Sequence, residues 1–203
     1  MAGKSETANV RRMTSGERSS QLTETALDIV AEGGFTALTL DSVAERAGVT
    51  RNLIYHYFPR GRPDLALAAV DYSGQALTDD WQTDADVPIE ERLAQNFARF
   101  IEHGFEPSRI WLVHRHGRAL GDPEVTALGE SYRTVVVRSV ALNHFGTEEP
   151  GETAEAALRA YLDFGERVID EWREHGLDRD QAYKLLAETL LAVVESVKGS
   201  VPA

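Results

Sequence analysis

Residues 39–58, TLDSVAERAGVTRNLIYHYF, decide the fold. Leu40, Val43, Ala44 and Ala47 recur at helical spacing and give one apolar face, with Thr39 placed to cap the helix they form. Gly48 follows where the chain turns sharply, because glycine alone takes positive φ without a Cβ penalty. Val49 fits the angle that results, and Thr50 can cap a second helix running to about Tyr57. Two short helices joined through a glycine turn are the helix-turn-helix pattern. In the second helix, Ile54 and Phe58 are four apart and point inward. At about 100° per residue, Asn52 and His56 then face outward with Leu53 and Tyr55 beside them, and Arg51 stands at the N-terminal end. Amide, imidazole, phenol and guanidinium groups on one face can hydrogen-bond base edges or phosphates, whereas Tyr57 and Phe58 read as core.

Around this stretch, Phe35, Thr39, Val43-Ala44, Ala47-Gly48-Val49, Ile54-Tyr55-His56-Tyr57-Phe58 and the following PRGRPDL hold a fixed spacing. They resemble the N-terminal domain of TetR-type transcriptional regulators over residues 18 to 70. The chain departs from that pattern at Leu53, where a small residue is usual, at Ser42, where aspartate is frequent, and in its PRGR turn. If Arg62 replaces the usual lysine of that turn, the turn is one residue longer. The resemblance implies an all-α protein with a three-helix DNA-binding domain, a helical-bundle regulatory domain and about nine helices. It implies DNA contacts from Thr39, Thr50, Arg51, Asn52, Tyr55, His56 and Arg62, with double-stranded operator DNA as the partner.

Composition sets the outer limits. The chain has 203 residues, 42% apolar and 27% charged, as in ordinary globular proteins. It lacks cysteine, which excludes disulfides, thiolate nucleophiles and cysteine-held metals. No apolar run approaches the ~18–20 residues of a membrane span, and no signal-peptide core opens the chain, so the expectation is a cytoplasmic protein without membrane contact. The net charge of −12 is unevenly spread. Residues 1–62 hold 8 basic and 7 acidic side chains, leaving 13 basic and 26 acidic for the remainder. Phosphate would repel that remainder, so the DNA-facing part has to be N-terminal.

Domain limits follow from pattern. Residues 1–16 read as a polar tail, 17–62 as the helix-turn-helix domain and 63–203 as the ligand-binding and dimerisation domain. A first helix spans Glu17 to Glu32 and stops at Gly33-Gly34. Pro63 opens a fourth helix that reaches Trp81, and further helices span Ile89–His103, Arg109–Leu120 and Pro123–Phe145. The last two, 152–175 and 179–198, carry apolar residues on more than one stripe. One stripe serves the core; the other needs a partner, as in a twofold four-helix interface. The corresponding pair dimerises in TetR-like proteins, which points to Tyr161, Phe164, Val168, Trp172, Leu186, Leu190, Val193 and Val197 in a homodimer interface.

The middle helices carry a second expectation. In the resembled family they enclose a small-molecule cavity, and here they bear Phe100, Trp111, His114, Arg118 and Tyr132, suited to apolar walls with a few polar groups. Catalysis finds no support: there is no phosphate loop, HExxH pair or nucleophile elbow. His114 and His116, two apart, face different sides of a helix and make poor joint metal ligands. No cofactor and no metal are expected. The expected function is a homodimeric regulator, a repressor that binds a palindromic operator and is released by a small-molecule effector. The alternative is a helical ligand-binding or interaction protein with a degenerate helix-turn-helix; an all-helical enzyme comes third.

Overall fold

The computed structural model describes residues 13–79, 81 and 86–202. Of the tail expected over 1–16, residues 1–12 lie outside the described residues. The described residues form α1 (Ser15–Ala37), α2 (Leu40–Ala47), α3 (Arg51–Tyr57), α4 (Arg62–Asp79), α5 (Ile89–Phe105), α6 (Arg109–Ala119), α7 (Pro123–Phe145), α8 (Glu152–Glu174) and α9 (Arg179–Val197), with a short 3₁₀ turn at Lys198–Ser200. None of them is in a strand, and no helix among them is long and apolar enough to cross a membrane.

Local chemistry explains why the short helices end where the sequence says. Thr39 accepts from the Ser42 amide (3.0 Å) while the Ser42 hydroxyl accepts from the Thr39 amide (3.0 Å), so two orphan donors at the start of α2 satisfy each other. Gly48 closes α2 in the left-handed region at φ 65°. Thr50 accepts from the Leu53 amide to begin α3. The first helix is longer than its pattern suggested. A capping box between Thr14 and Glu17 starts it at Ser15; at the other end Gly34 leaves helical geometry (φ 67°, ψ −178°) where Gly33-Gly34 were expected to stop the helix, and a short further turn anchored by the buried Phe35 follows the kink. At the other end of this half, α4 is described as far as Asp79; residue 80 lies outside the described residues, and Trp81 beyond it sits in a bend.

One apolar cluster unites α1 to α4 with the helices behind them. Leu22, Leu27, Val30, Leu38, Val43, Ile54 and Leu65 are sealed from solvent, and Val113 of α6 and Val125 of α7 belong to the same core. Each such side chain contributes about 1.5–3 kcal/mol by burial. The core therefore runs across the expected boundary at 62/63. Two smaller clusters hold the rest. Ile101, Val168, Ile169, Ala182 and Leu186 join α5, α8 and α9. Val137, Ala141, Leu158 and Val194 join α7, α8 and α9.

Candidate nucleic-acid interface and inner cavity

On α3, Ile54 and Phe58 are buried and anchor the helix against α1 and α4. The opposite side is left to solvent: Asn52 and His56 are exposed, and Tyr55 is 47% exposed. The His56 ring meets Tyr57 edge-on at 4.9 Å, which limits its rotation. Tyr55 lies over Gly61, where φ is 70° and an added methyl would press on its ring at 3.1 Å. The remaining expected contacts are partly engaged inside the chain. Arg51 forms an ion pair with Asp41 of α2. Arg62 is exposed but tied down: its guanidinium donates to the carbonyls of Leu38 and Phe35, at 2.8 Å each, and staples the α1–α2 link to α4. Thr39 and Thr50 stand exposed at their caps.

Two sets of polar contacts fix this module to the helices behind it. Arg60, in the turn after α3, donates to Asp64 (2.6 Å) and to Glu124 at the start of α7 (2.8 Å). On α6, Arg109 reaches Asp28 of α1 at 2.6 Å, and His116 Nδ1 donates to the Val30 carbonyl at 3.1 Å. His114 and His116 do face different sides of α6, as their spacing requires: one toward an inner cavity, the other toward α1.

That cavity lies among α4, α5, α6, α7 and α8. Phe100, Trp111, His114 and Tyr132 all line it, four of the five residues expected there. Arg118 is not in the wall; it is held by Asp163 and Glu166, each at 2.6 Å. The sequence reading did not single out Arg99, Arg133 or Glu166, which the fold brings into the lining. Nor did it single out Gly74, a mid-helix glycine required because a methyl there would overlap the Tyr132 ring. A glycine inside a helix and charged residues on apolar stripes were the available signals.

The cavity's polar floor is a closed network. Glu166, buried, accepts from Arg115 and Arg118 and lies 3.5 Å from the buried Arg133. Asp163 pairs with Arg118 and Arg133 (2.9 Å), and Asp170 pairs with Arg115. Burial, reinforced by the nearby Arg118, Arg133 and Arg115, lowers the His114 pKa to about 4, so its imidazole is neutral near pH 7. Its Nδ1 is buried without a hydrogen-bond partner. Burial and a 2.6 Å hydrogen bond to Asp71 raise Tyr132 to about 12. About 70 Å³ of free space remains.

The expected dimer residues divide. Tyr161, Val168, Leu186 and Val197 are buried within the single chain, and the Tyr161 hydroxyl donates to the Leu186 carbonyl (2.8 Å). They are inward because the wide apolar arc of α8 and α9 is shared between two inner clusters. Trp172, Leu190 and Val193 are half-buried. Phe164 remains outward at 40% exposure, and Leu191 of α9, missed in the sequence reading, is 60% exposed.

Comparison with known proteins agrees with this architecture. Residues 22–69 match the profile described as bacterial regulatory proteins, tetR family. An uncharacterized HTH-type transcriptional regulator of Mycobacterium tuberculosis is 38% identical over 60 residues, 30% of each chain. The Bacillus subtilis regulator YxaF is 33% identical over 66 residues, 32% of this chain and 35% of its own. The matched segments thus span about a third of those relatives' lengths. A crystal structure of a tetR-family transcriptional regulator from Streptomyces coelicolor aligns over 94% of this chain and 92% of its own, with 25% identity and a TM-score of 0.71. Regulators of this family are DNA-binding transcription factors, not enzymes. Residues 22–69 thus carry the DNA-binding domain of tetR-family regulators, and the chain shares the fold of such a regulator along nearly its whole length.

Proposed function

We propose that the protein is a cytoplasmic repressor that binds a palindromic operator as a homodimer and leaves it when a small effector enters the inner cavity. The observation that carries this reading is the outward face of α3, where Asn52, Tyr55 and His56 stand on a helix anchored from below by Ile54 and Phe58. In this motif such a helix lies in the major groove, and two of them about 34 Å apart read successive half-sites. Phe164 and Leu191 supply the apolar patch through which two copies join, α8 and α9 against their counterparts. Release follows from the small size of the cavity. A ligand needing more than 70 Å³ has to part the walls, which include α4 and α6. Helix α6 carries Trp111 and His114 in the cavity and Arg109 and His116 on α1, so its displacement moves the DNA-facing module directly. Ligand then favours a dimer whose α3 pair no longer fits the operator.

Selection from random duplexes followed by footprinting tests the reading. A palindromic site is expected, with affinity falling as salt rises. His56→Ala and Asn52→Ala should each cost about 1–3 kcal/mol where a bidentate base contact is lost. Leu191→Asp should give monomers by sedimentation and abolish operator binding with them. A second reading, a helical ligand-binding protein whose helix-turn-helix no longer holds DNA, draws on the engagement of Arg51 and Arg62 within the chain. Failure to retain any duplex at low salt would favour it.

A further inference from the structure

We infer that the ligand of the inner cavity is an amphipathic carboxylate, its anionic head at Arg99 and its apolar body against Trp111 and Tyr132. This assignment rests on the effector reading and names the chemistry of that same site. The charge balance of the lining supports it first. Arg115, Arg118 and Arg133 are engaged by Asp163, Glu166 and Asp170, and Asp170 also holds Arg173, so four guanidiniums share three carboxylates. The carboxylate in the cavity floor, Glu166, is thereby saturated and cannot serve a cationic ligand. Arg99 of α5 is the charge left over. It lines the cavity, is half-buried, and has no carboxylate partner among the described residues, in a chain with 33 acidic against 21 basic side chains. A guanidinium with a planar fork of donors suits a carboxylate in bidentate geometry.

Two further groups lack a partner. The Trp81 indole nitrogen, which can only donate, is buried in the cavity wall without an acceptor, and His114 Nδ1 is buried there without any hydrogen-bond partner. Buried polar groups of this kind are ordinarily satisfied, so the Trp81 donor points to an oxygen supplied from outside, with the His114 ring beside it in its Nδ1–H tautomer able to give a second hydrogen bond. The apolar part of the ligand has somewhere to go. A second cavity of about 40 Å³ lies behind a partition of Trp81, Phe100 and Leu162, residues common to both linings. Rotation of Phe100 or Leu162 would join the two into one elongated apolar channel with Arg99 near the partition, since Arg99 precedes Phe100 on α5.

The test uses octanoate, decanoate, benzoate and phenylacetate, each beside its primary amide, titrated into the full-length protein with calorimetry and tryptophan fluorescence as readouts. At least one acid should bind about tenfold or more tightly than its amide. Arg99→Gln, with an unchanged melting temperature, should abolish that preference and leave the amide's affinity where it was. Equal affinity of acid and amide, a preference that survives Arg99→Gln, or no binding by any of the four acids would each overturn the inference. Displacement from the selected duplex is measured separately. An acid that binds through Arg99 but leaves DNA bound keeps the ligand assignment and removes the effector reading. A neutral compound that releases DNA does the reverse.

Discussion

The two ends of this molecule solve the packing problem differently. Around α1 to α4, a single apolar cluster is sealed to solvent, polar groups are satisfied by neighbours three or four residues away, and the ion pairs that do form, such as Arg46–Glu32, sit at the surface. Behind it, α5 to α9 divide their apolar residues between two smaller clusters, leave cavities between them, and hold a network of charged side chains from α6, α7 and α8 centred on the buried Arg133 and Glu166. The first arrangement suits a body that presents one face without change. The second suits a body with alternative packings, because a void costs little to reshape and a charge network has a specific geometry to lose.

Breaking the charge network should give the largest effect. Glu166→Ala leaves the buried Arg133 and two half-buried guanidiniums with one carboxylate fewer, and is expected to cost about 3–5 kcal/mol in denaturant unfolding. Arg46→Ala, at an exposed pair of the N-terminal half, should leave the unfolding midpoint in place. Similar losses from the two variants would erase the contrast between the regions. A second comparison sharpens the packing side. Ile54→Ala opens a hole in a sealed core and should cost about 2–5 kcal/mol. Leu162→Ala, whose side chain already borders both cavities, has fewer contacts to lose and should cost about 1–2 kcal/mol. A Leu162 variant as damaging as the Ile54 one would mean that the cavities are not the loosely packed part of the fold.

The same contrast explains what could be read in advance. Helices α2 and α3 were legible to the residue because their limits are set by groups within a few positions: the hydroxyls of Thr39 and Thr50, and the left-handed Gly48. Four residues of the cavity wall were named in advance because the resembled family encloses a cavity with its middle helices, where Phe100, Trp111, His114 and Tyr132 stand. What depends on distant partners was not. Arg62 looks like a phosphate ligand in sequence, and only the fold shows the carbonyls of Phe35 and Leu38 within its reach. Tyr161 and Leu186 look like a second apolar stripe until the position of α9 against α8 turns them inward. Arg99 shows in sequence only as a charge among the apolar residues of α5; its significance is that Glu166, the carboxylate in the cavity lining, is already taken.

The last expected effect concerns pH, and it tests whether the cavity is electrostatically as unlike the N-terminal half as its geometry suggests. Unfolded, His114 takes up a proton near pH 6.5; folded, burial and the flanking Arg118, Arg133 and Arg115 delay this to about 4. Between those values the unfolded chain holds a proton that the folded one does not, so stability falls as the pH drops from 6.5 toward 4. Burial of His144 acts in the same direction, so the measurement is a difference between two proteins. Carboxylates held below their ordinary range, Asp163 among them, lose their contribution only below about pH 4.5 and are common to both. His114→Gln should therefore unfold with a shallower dependence on pH between 6.5 and 4.5 than the parent chain, while His56→Ala, at an exposed position on α3, should reproduce the parent slope. Parallel curves for the parent and His114→Gln would mean that His114 is solvated or already paired, and would remove one of the two unpartnered groups on which the carboxylate assignment draws.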